Sequence, residues 1–398
     1  MRKSFTILTG ILVCALTAVG ATSRTETSVT TATAMSVVEL NQRITEARQL
    51  LQQSATISRD SVRVAALDST NGELTTIPLS KDEFLTKDAN IEATTAAGER
   101  VRVRVIRANG VNTAITLGDA TTNESLIPLV VQFPIVHDGA VSEVAYYTSV
   151  HPALMSAELS SNGQSYIRTM LDRAAANLAA QGFTIPSDIV DIAEHLCVVE
   201  HTDHKRFMHE NAGDLFPEIL SLYALNQGNT FRYSVSTAGA GGMIQMIPKT
   251  YEAIRQSHPN AALNSDFVNG MRDHSNALKA MLLYMNDTWN GLANSSEVRD
   301  AVNSGIATKP ELLAAGYNSN PTRLPRYLKE GGAGWRSLIP AETQMYLTIY
   351  GAVDKNLELT GASATTGEST GLTMSVEAPK PFPILSWLRA SLFTAMFR

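Results

Sequence analysis

Hydrophobic and polar positions change period along this chain at about residue 150. Before that point the period is two. In residues 99–107, ERVRVRVIR, Val101, Val103 and Val105 alternate with Arg100, Arg102 and Arg104, the pattern of a strand with one buried and one wet face. VNTAITL follows the pair Asn109-Gly110, and LTTIPL follows VRVAAL across Asn71-Gly72. Asn-Gly supplies the two positive-φ residues of a tight hairpin turn, so a hairpin is expected at Asn109-Gly110 above all. LIPLVVQFPIV reads as a further strand, buried or at an edge, interrupted by Pro128 and Pro134. Residues 59–152 therefore read as a small β-rich domain, and the arginine face of its basic strand as solvated.

Two segments follow the helical period instead. Residues 35–53 set Val38, Ile44, Leu50 and Leu51 against Glu39, Arg43, Glu46 and Arg48, a solvated helix with one narrow apolar side. After residue 150 the chain is helical to about residue 355. Residues 166–180 form an alanine-rich helix stopped at Gln181-Gly182, and Pro186-Ser187-Asp188 opens another, with Ser187 or Asp188 as N-cap.

In this second helix, DIVDIAEHLCVVE, Ile189, Ala193 and Leu196 share one side. Glu200 lies within about 40° of each at 3.6 residues per turn. Glu194 falls off that stripe and is expected to be solvated. A carboxyl in apolar surroundings keeps its proton to higher pH and can act as a general acid. The alternative at Glu200 is a helix end where the stripe emerges into water.

The 398 residues leave room for two or three domains, and an apolar fraction of 44% with 18% charged residues is that of a globular protein with a core. Arg2 and Lys3, an apolar run over residues 5–19 and small residues to Ala21 make residues 1–21 a signal peptide, or a membrane anchor if uncleaved. Its loss removes those two cations and takes the formal charge from −6 to −8, which argues against nucleic acid as a partner. Of Cys14 and Cys197 only the second then remains, so no internal disulfide can form. Residues 22–58 are a Thr/Ser-rich linker and the solvated helix. Residues 358–398 are a Gly/Ser/Thr-rich linker and an amphipathic segment too short to span a bilayer, suited to a membrane surface or to docking on protein.

Residues 234–250, SVSTAGAGGMIQMIPKT, run small residues into an apolar, helix-compatible segment carrying one amide, Gln245. Small residues let another chain approach the backbone. His195, His201, His204 and His209 with Glu210 do not have the spacing of a zinc helix, so no metal and no cofactor is expected. Cys197, one turn before Glu200, reads as an inert buried thiol.

Together these segments resemble the soluble lytic transglycosylases. LCVVE, ending at Glu200, is similar to the helix that carries that family's catalytic glutamate. GAGGMIQMIPKT, residues 239–250, is similar to its Gly-Ala-x-Gly-Leu-Met-Gln-x-x-Pro-x-Thr. LLAAGYNSNPTRLPRYL, residues 312–328, and IPAETQMYL, residues 339–347, resemble its Ala-Ala-Tyr-Asn-x-Gly-Pro and Pro-x-Glu-Thr segments. The match covers residues 160 to 355, about half the chain. It implies an α+β protein in which a mainly helical, lysozyme-like catalytic domain related to goose-type lysozyme, residues 153–357, follows the β-rich domain.

Carried over by position, Glu200 is the acid/base, Gln245 and Ser236 contact sugar, and Met243 and Ile244 line the cleft floor. Tyr317 orients Glu200, Asn318 supports the same wall and Glu342 binds substrate. Three departures stand out: His201 follows the glutamate where the family has serine, Gly316 splits Ala-Ala from Tyr-Asn, and Gly239 lies thirty-nine residues after Glu200, a longer spacing than the family has. The inserted residues 202–227, with Phe207, Phe216 and Tyr223, are expected over or beside the cleft, and bring Glu210 and Glu218 as rival acids.

The resemblance implies an exported, cell-envelope enzyme that cleaves peptidoglycan glycan strands between N-acetylmuramic acid and N-acetylglucosamine, leaving a 1,6-anhydro ring. Two alternatives stay open. One is a goose-lysozyme-type hydrolase using Glu342, Asp203 or Glu218 to place water. The other is a wall-binding scaffold without catalysis.

Overall fold

The computed structural model describes residues 35–53, 57–119 and 126–357. The signal peptide, the linker after it, Cys14 and the C-terminal segment lie outside them. Helix α1 (Val37–Gln52) begins at Ser36, whose hydroxyl accepts from the Glu39 N–H, and buries Val37, Leu40, Ile44, Ala47 and Leu51 along one side. Strands β1 (Ser61–Asp68) and β2 (Leu74–Ser80) form an antiparallel hairpin with Gly72 at φ +75°. One turn, α2 (Lys81–Phe84), leads to β3 (Asn90–Thr94), β4 (Arg100–Arg107) and β5 (Ala114–Asp119), a three-stranded antiparallel sheet. β6 (Leu126–His137) and β7 (Ala140–Tyr147) complete a four-stranded sheet of order β2-β1-β6-β7. Arg100, Arg102 and Arg104 of β4 face water while its three valines are buried between the sheets.

One strand feature departs from expectation. The β4–β5 connection is not a two-residue turn. Asn109 sits at φ −155° and only Gly110 is left-handed, at φ +53°, opening a 3₁₀ turn over Gly110–Asn112. The wider loop is held by Thr113, whose hydroxyl accepts from the Asn109 N–H and donates to the Gly110 carbonyl. Of the two places expected for β6, buried or at an edge, it takes the first, inside the sheet between β1 and β7. It carries its prolines because Pro128 adjoins the register shift between Ala65 and Ala66, and Pro134 lies past Gln132, the last residue paired with β1.

The helical part opens with α3 (Ala157–Ala180), capped by Ser156. It starts nine residues before Tyr166 and stops at Gln181 and Gly182, the latter at φ +88°. In α4 (Ser187–Val199) Pro186 takes the N-cap position, so neither Ser187 nor Asp188 caps it; both are already helical. There follow α5 (His204–His209), α6 (Ala212–Asn226), α7 (Pro248–Ser257), α8 (Phe267–Arg272) and α9 (His274–Ala293). The last four are α10 (Ser296–Asn303), α11 (Lys309–Asn318), α12 (Leu324–Gly331) and α13 (Ala341–Asn356).

Helix α4 is the axis of this part, with ten of its thirteen residues buried among side chains of α3, α6, α9 and α13. For that reason Glu194 is not solvated. It is 2% exposed, ion-paired with Arg168 and hydrogen-bonded by Gln164. A helix wrapped on every side has no wet face, and a charge on it must be paired. A second core gathers α10, α11 and α12 around Trp335.

The α+β protein is held together across its two parts. α1, β1 and β6 share a core with Leu159 of α3 and Leu225 of α6. At the end of β7, Asn226 of α6 accepts from the Thr148 N–H and donates to the Thr148 carbonyl, both at 2.8 Å and fully buried. Glu143 of β7 receives Arg272, Arg232 and the Tyr233 hydroxyl.

Candidate functional site

Glu200 is the C-cap residue of α4, with its N–H bonded to the Leu196 carbonyl. The long apolar axis delivers it to the edge of a cavity of about 260 Å³. One wall comes from the turn after α4 and the start of α5 (His201, Thr202, Asp203, Arg206). α6 supplies a second (Glu218, Ile219, Leu222), the glycine-rich segment a third (Ser234, Gln245), with Phe231 beside them. The remaining wall belongs to the β part: Arg107 at the end of β4, with Asn109 and Asn112 in the loop after it.

Burial pushes the Glu200 carboxyl up to about 8. A hydrogen bond from Tyr346 opposes that shift and the nearby charge of Glu342 adds to it. Tyr346, on α13, donates to Oε1 at 2.5 Å. Its own hydroxyl is held well above the ordinary phenol value by burial and by the Glu200 carboxyl, so it stays a donor. The other acids of the cavity are committed. Burial alone would raise Glu218, but Arg206 and Arg107 outweigh it and hold the carboxyl below its ordinary value, through bonds of 2.7 and 3.0 Å. Asp203 caps α5, accepting from the N–H groups of Lys205 and Arg206. Glu210 lies outside the cavity lining and is clamped by Arg206 at 2.7 Å.

His201 stacks flat on Phe231, with ring centroids 3.4 Å apart. Burial lowers it to about 3 despite the Met243 carbonyl that accepts from its Nε2. The imidazole is neutral and serves as a wall.

Gln245 lies on the cavity wall with Glu200. It is in no helix: a 3₁₀ turn over Gly242–Ile244 precedes it, it takes a left-handed conformation at φ +46°, and α7 begins after it at Pro248. Its amide donates to the Gly242 carbonyl and the Ser234 hydroxyl. Met243 and Ile244 are fully buried core residues, not a cleft floor. Their apolar side chains pack into the α4–α9 core, leaving only their carbonyls to accept from His201 and Tyr317. Ser236 is exposed and closes a turn by accepting from the Ala240 N–H, while Ser234 takes the place in the cavity.

Tyr317 does not bond Glu200. Its hydroxyl donates to the Ile244 carbonyl at 2.7 Å, tying α11 to the glycine-rich segment. Gly316 is accommodated within α11, where Tyr284 donates to its carbonyl. Asn318 accepts from Thr343 and joins α11 to α13. Glu342 is exposed, one turn before Tyr346.

The insertion is more than a cover. α6 packs Phe216 and Tyr223 into the main core, and its other side is a wall of the cavity. Sequence reasoning missed Tyr346, although it stands four residues after Glu342 on the same helix face. It also missed Arg107, for which there was a signal. In VRVIR the alternation inverts at Ile106-Arg107, and the structure has a bulge there that leaves Ile106 unpaired and exposed.

The chain matches no protein-family model, no curated protein and no solved structure.

Proposed function

We propose that the protein is a lytic transglycosylase that cleaves the β-1,4 bond between N-acetylmuramic acid and N-acetylglucosamine in peptidoglycan. The observation that carries this reading is that, of the three carboxyls lining the cavity, Glu200 alone is neither ion-paired nor capping a helix among the described residues. Glu200 is raised to about 8, while Glu218 is locked in two arginines and Asp203 in a helix cap. Most glycosidases need a second carboxylate to place water or attack the sugar. A lyase does not, because the substrate supplies the nucleophile.

In the first step Glu200 gives its proton to the bridging oxygen as the bond from that oxygen to the anomeric carbon breaks. The substrate's own acetamido group stabilises the positive charge that develops there. In the second step the Glu200 carboxylate takes the proton of the sugar's 6-hydroxyl, and that oxygen bonds to the anomeric carbon. The acid is regenerated and no water is consumed. Tyr346 holds Oε1 throughout and partly offsets the charge Glu200 carries between the steps. The helical part is lysozyme-like on this reading, with α4 as its central helix. The substrate lies in the cell envelope, to which residues 1–21 direct the chain. No helix among the described residues is long and apolar enough to cross a membrane.

Mass spectrometry of digested wall tests the proposal. Anhydro products, each one water lighter than the hydrolysed sugar, are the expected result; hydrolysed products would assign the chain to the lysozyme-type hydrolases instead. Glu200→Gln should lower the rate by roughly 10²–10⁴-fold, the usual contribution of a general acid.

A further inference from the structure

β4 is the central strand of its sheet, with β3 on one side and β5 on the other, and its outward side carries three arginines in a row. Arg100, Arg102 and Arg104 are all exposed, and alternate residues of a strand follow one another at about 6.8 Å. Charged side chains commonly guard the edge of a sheet against pairing, but a central strand has no free edge to guard. No side-chain ion pair or hydrogen bond joins these three to any of the described residues, whereas Arg107 on the same strand and Arg206 both hold Glu218.

The flanking strands do little to neutralise the row. In the antiparallel register Asn90, Glu92 and Thr94 of β3 stand opposite Arg104, Arg102 and Arg100, and Thr116 and Gly118 of β5 stand opposite Arg104 and Arg102. Directly opposed residues share a face, so three positive charges meet one negative charge, Glu92, which forms no ion pair with Arg102. Neighbouring like charges repel, and an unpaired row of them in a chain of net charge −6 suits an anionic partner.

The shape of the row narrows the kind of anion. A guanidinium takes phosphate or carboxylate oxygens through two parallel N–H bonds. The cations form a line one strand wide, with none opposite them on β3 or β5. Such a line matches a polymer that carries one charge in its backbone at every repeat, as a phosphodiester chain does, better than a plane of lipid headgroups. No aromatic side chain stands among the residues of this face, so a base would have nothing to stack on.

We propose that the arginine row of β4 is a docking surface for a linear phosphodiester polymer without bases, of the polyol-phosphate kind, lying along the strand. This goes beyond the lyase reading and does not use Glu200; the two share only the cell envelope as the place.

Fluorescence anisotropy of the full chain with a labelled glycerol-phosphate oligomer, across a salt series, tests the proposal. Three phosphate contacts at about 0.7 each predict that log K falls with log salt at a slope of about −2, so that binding weakens roughly fifteenfold from about 50 to about 200 mM salt. Replacing all three arginines, Arg100→Gln with Arg102→Gln and Arg104→Gln, should abolish the slope and weaken binding about tenfold or more at the lower salt. Should that variant not fold, Arg102→Gln alone should reduce the slope by about 0.7. No binding, or a slope indifferent to the arginines, overturns the surface. Oligodeoxythymidylate, polyglutamate and phosphatidylglycerol vesicles are tried as competitors at equal charge. Any of them that displaces the labelled oligomer as well as the unlabelled oligomer does overturns the polyol-phosphate assignment, in favour of nucleic acid, a carboxylate polymer or a membrane respectively. Wall cleavage is scored separately: its absence sinks the lyase reading alone, and arginine-independent binding sinks the docking surface alone.

Discussion

Glu200 binds its proton more tightly in the folded chain than in the unfolded one, moving from 4.5 to about 8 because burial penalises the charged form. Stability should therefore fall as pH rises from about 4.5 to about 8, where the unfolded chain has lost the proton and the folded one has not, and level off above. Glu200→Gln removes this loss. At pH 8 it should be more stable than the unsubstituted protein by roughly 2–5 kcal/mol and melt at a higher temperature, with the difference vanishing near pH 4.5; melting temperatures that match at both pH values would contradict a buried acid.

If the chain is the lyase proposed above, the same carboxyl sets the alkaline limb of wall cleavage, since only its protonated form can give a proton to the leaving oxygen. Tyr346→Phe removes a donor that favours the charged form, so the limb should move to higher pH. Glu342→Gln removes a like charge and should move it lower. Shifts of the same sign in both variants would discredit these assignments. At this scale the sequence was partly legible. Helical spacing alone put Glu200 in an apolar stripe, whereas which of Tyr317 and Tyr346 reaches it depends on how α11 and α13 cross, and spacing holds no information about that.

Elements were legible where their period was plain and less so at their ends. The alternation in β4 and the Gln181-Gly182 stop of α3 both correspond to observed elements. The β4–β5 turn depended on the contacts of Thr113, which local chemistry does not encode, and α4 takes Pro186 as its N-cap with no side-chain cap at all. The inverted alternation at Ile106-Arg107 was present but needed a partner surface to acquire meaning.

Close approach of elements gives a prediction of its own. α3 lies so near α6 that a Cβ on Gly163 would fall 1.8 Å from the Leu220 carbonyl oxygen, and one on Gly242, at φ +68°, 2.2 Å from that of Met271. Gly163→Ala must push two helices apart, and overpacking of this kind costs about 1–3 kcal/mol or more. Gly242→Ala adds the strain of a left-handed backbone to a clash of the same kind, so it too should lower the melting temperature, and it should also disturb Gln245 three residues on and the cavity wall that it forms.

Across the whole molecule the two parts meet in a polar seam. Asn226 closes it by taking both backbone groups of Thr148, as a neighbouring strand would. Asn226→Ala leaves a buried N–H and a buried carbonyl unpaired, at about 1–3 kcal/mol each, and should lower the melting temperature by several degrees. Limited proteolysis of this variant should cut between residues 148 and 156 faster than in the unsubstituted chain. An unchanged melting curve would mean that the seam is held by apolar contacts alone. Composition could not announce this joint, because Asn226 sits in a helix whose other residues read as ordinary core.

Cys197 lies one turn before Glu200, fully buried, with its thiol held well above its ordinary value by burial and by the neighbouring carboxylates. A thiol reagent can reach it only when α4 leaves the core, which makes this sulfur a clock for opening of the helix that carries the acid. In a chain with Cys14→Ser, labelling in rising denaturant should track loss of helical signal. Labelling well ahead of that loss would mean that the acid's helix opens as a separate unit, and its rate would then report how often the proton donor is dismantled while the rest of the protein stays folded.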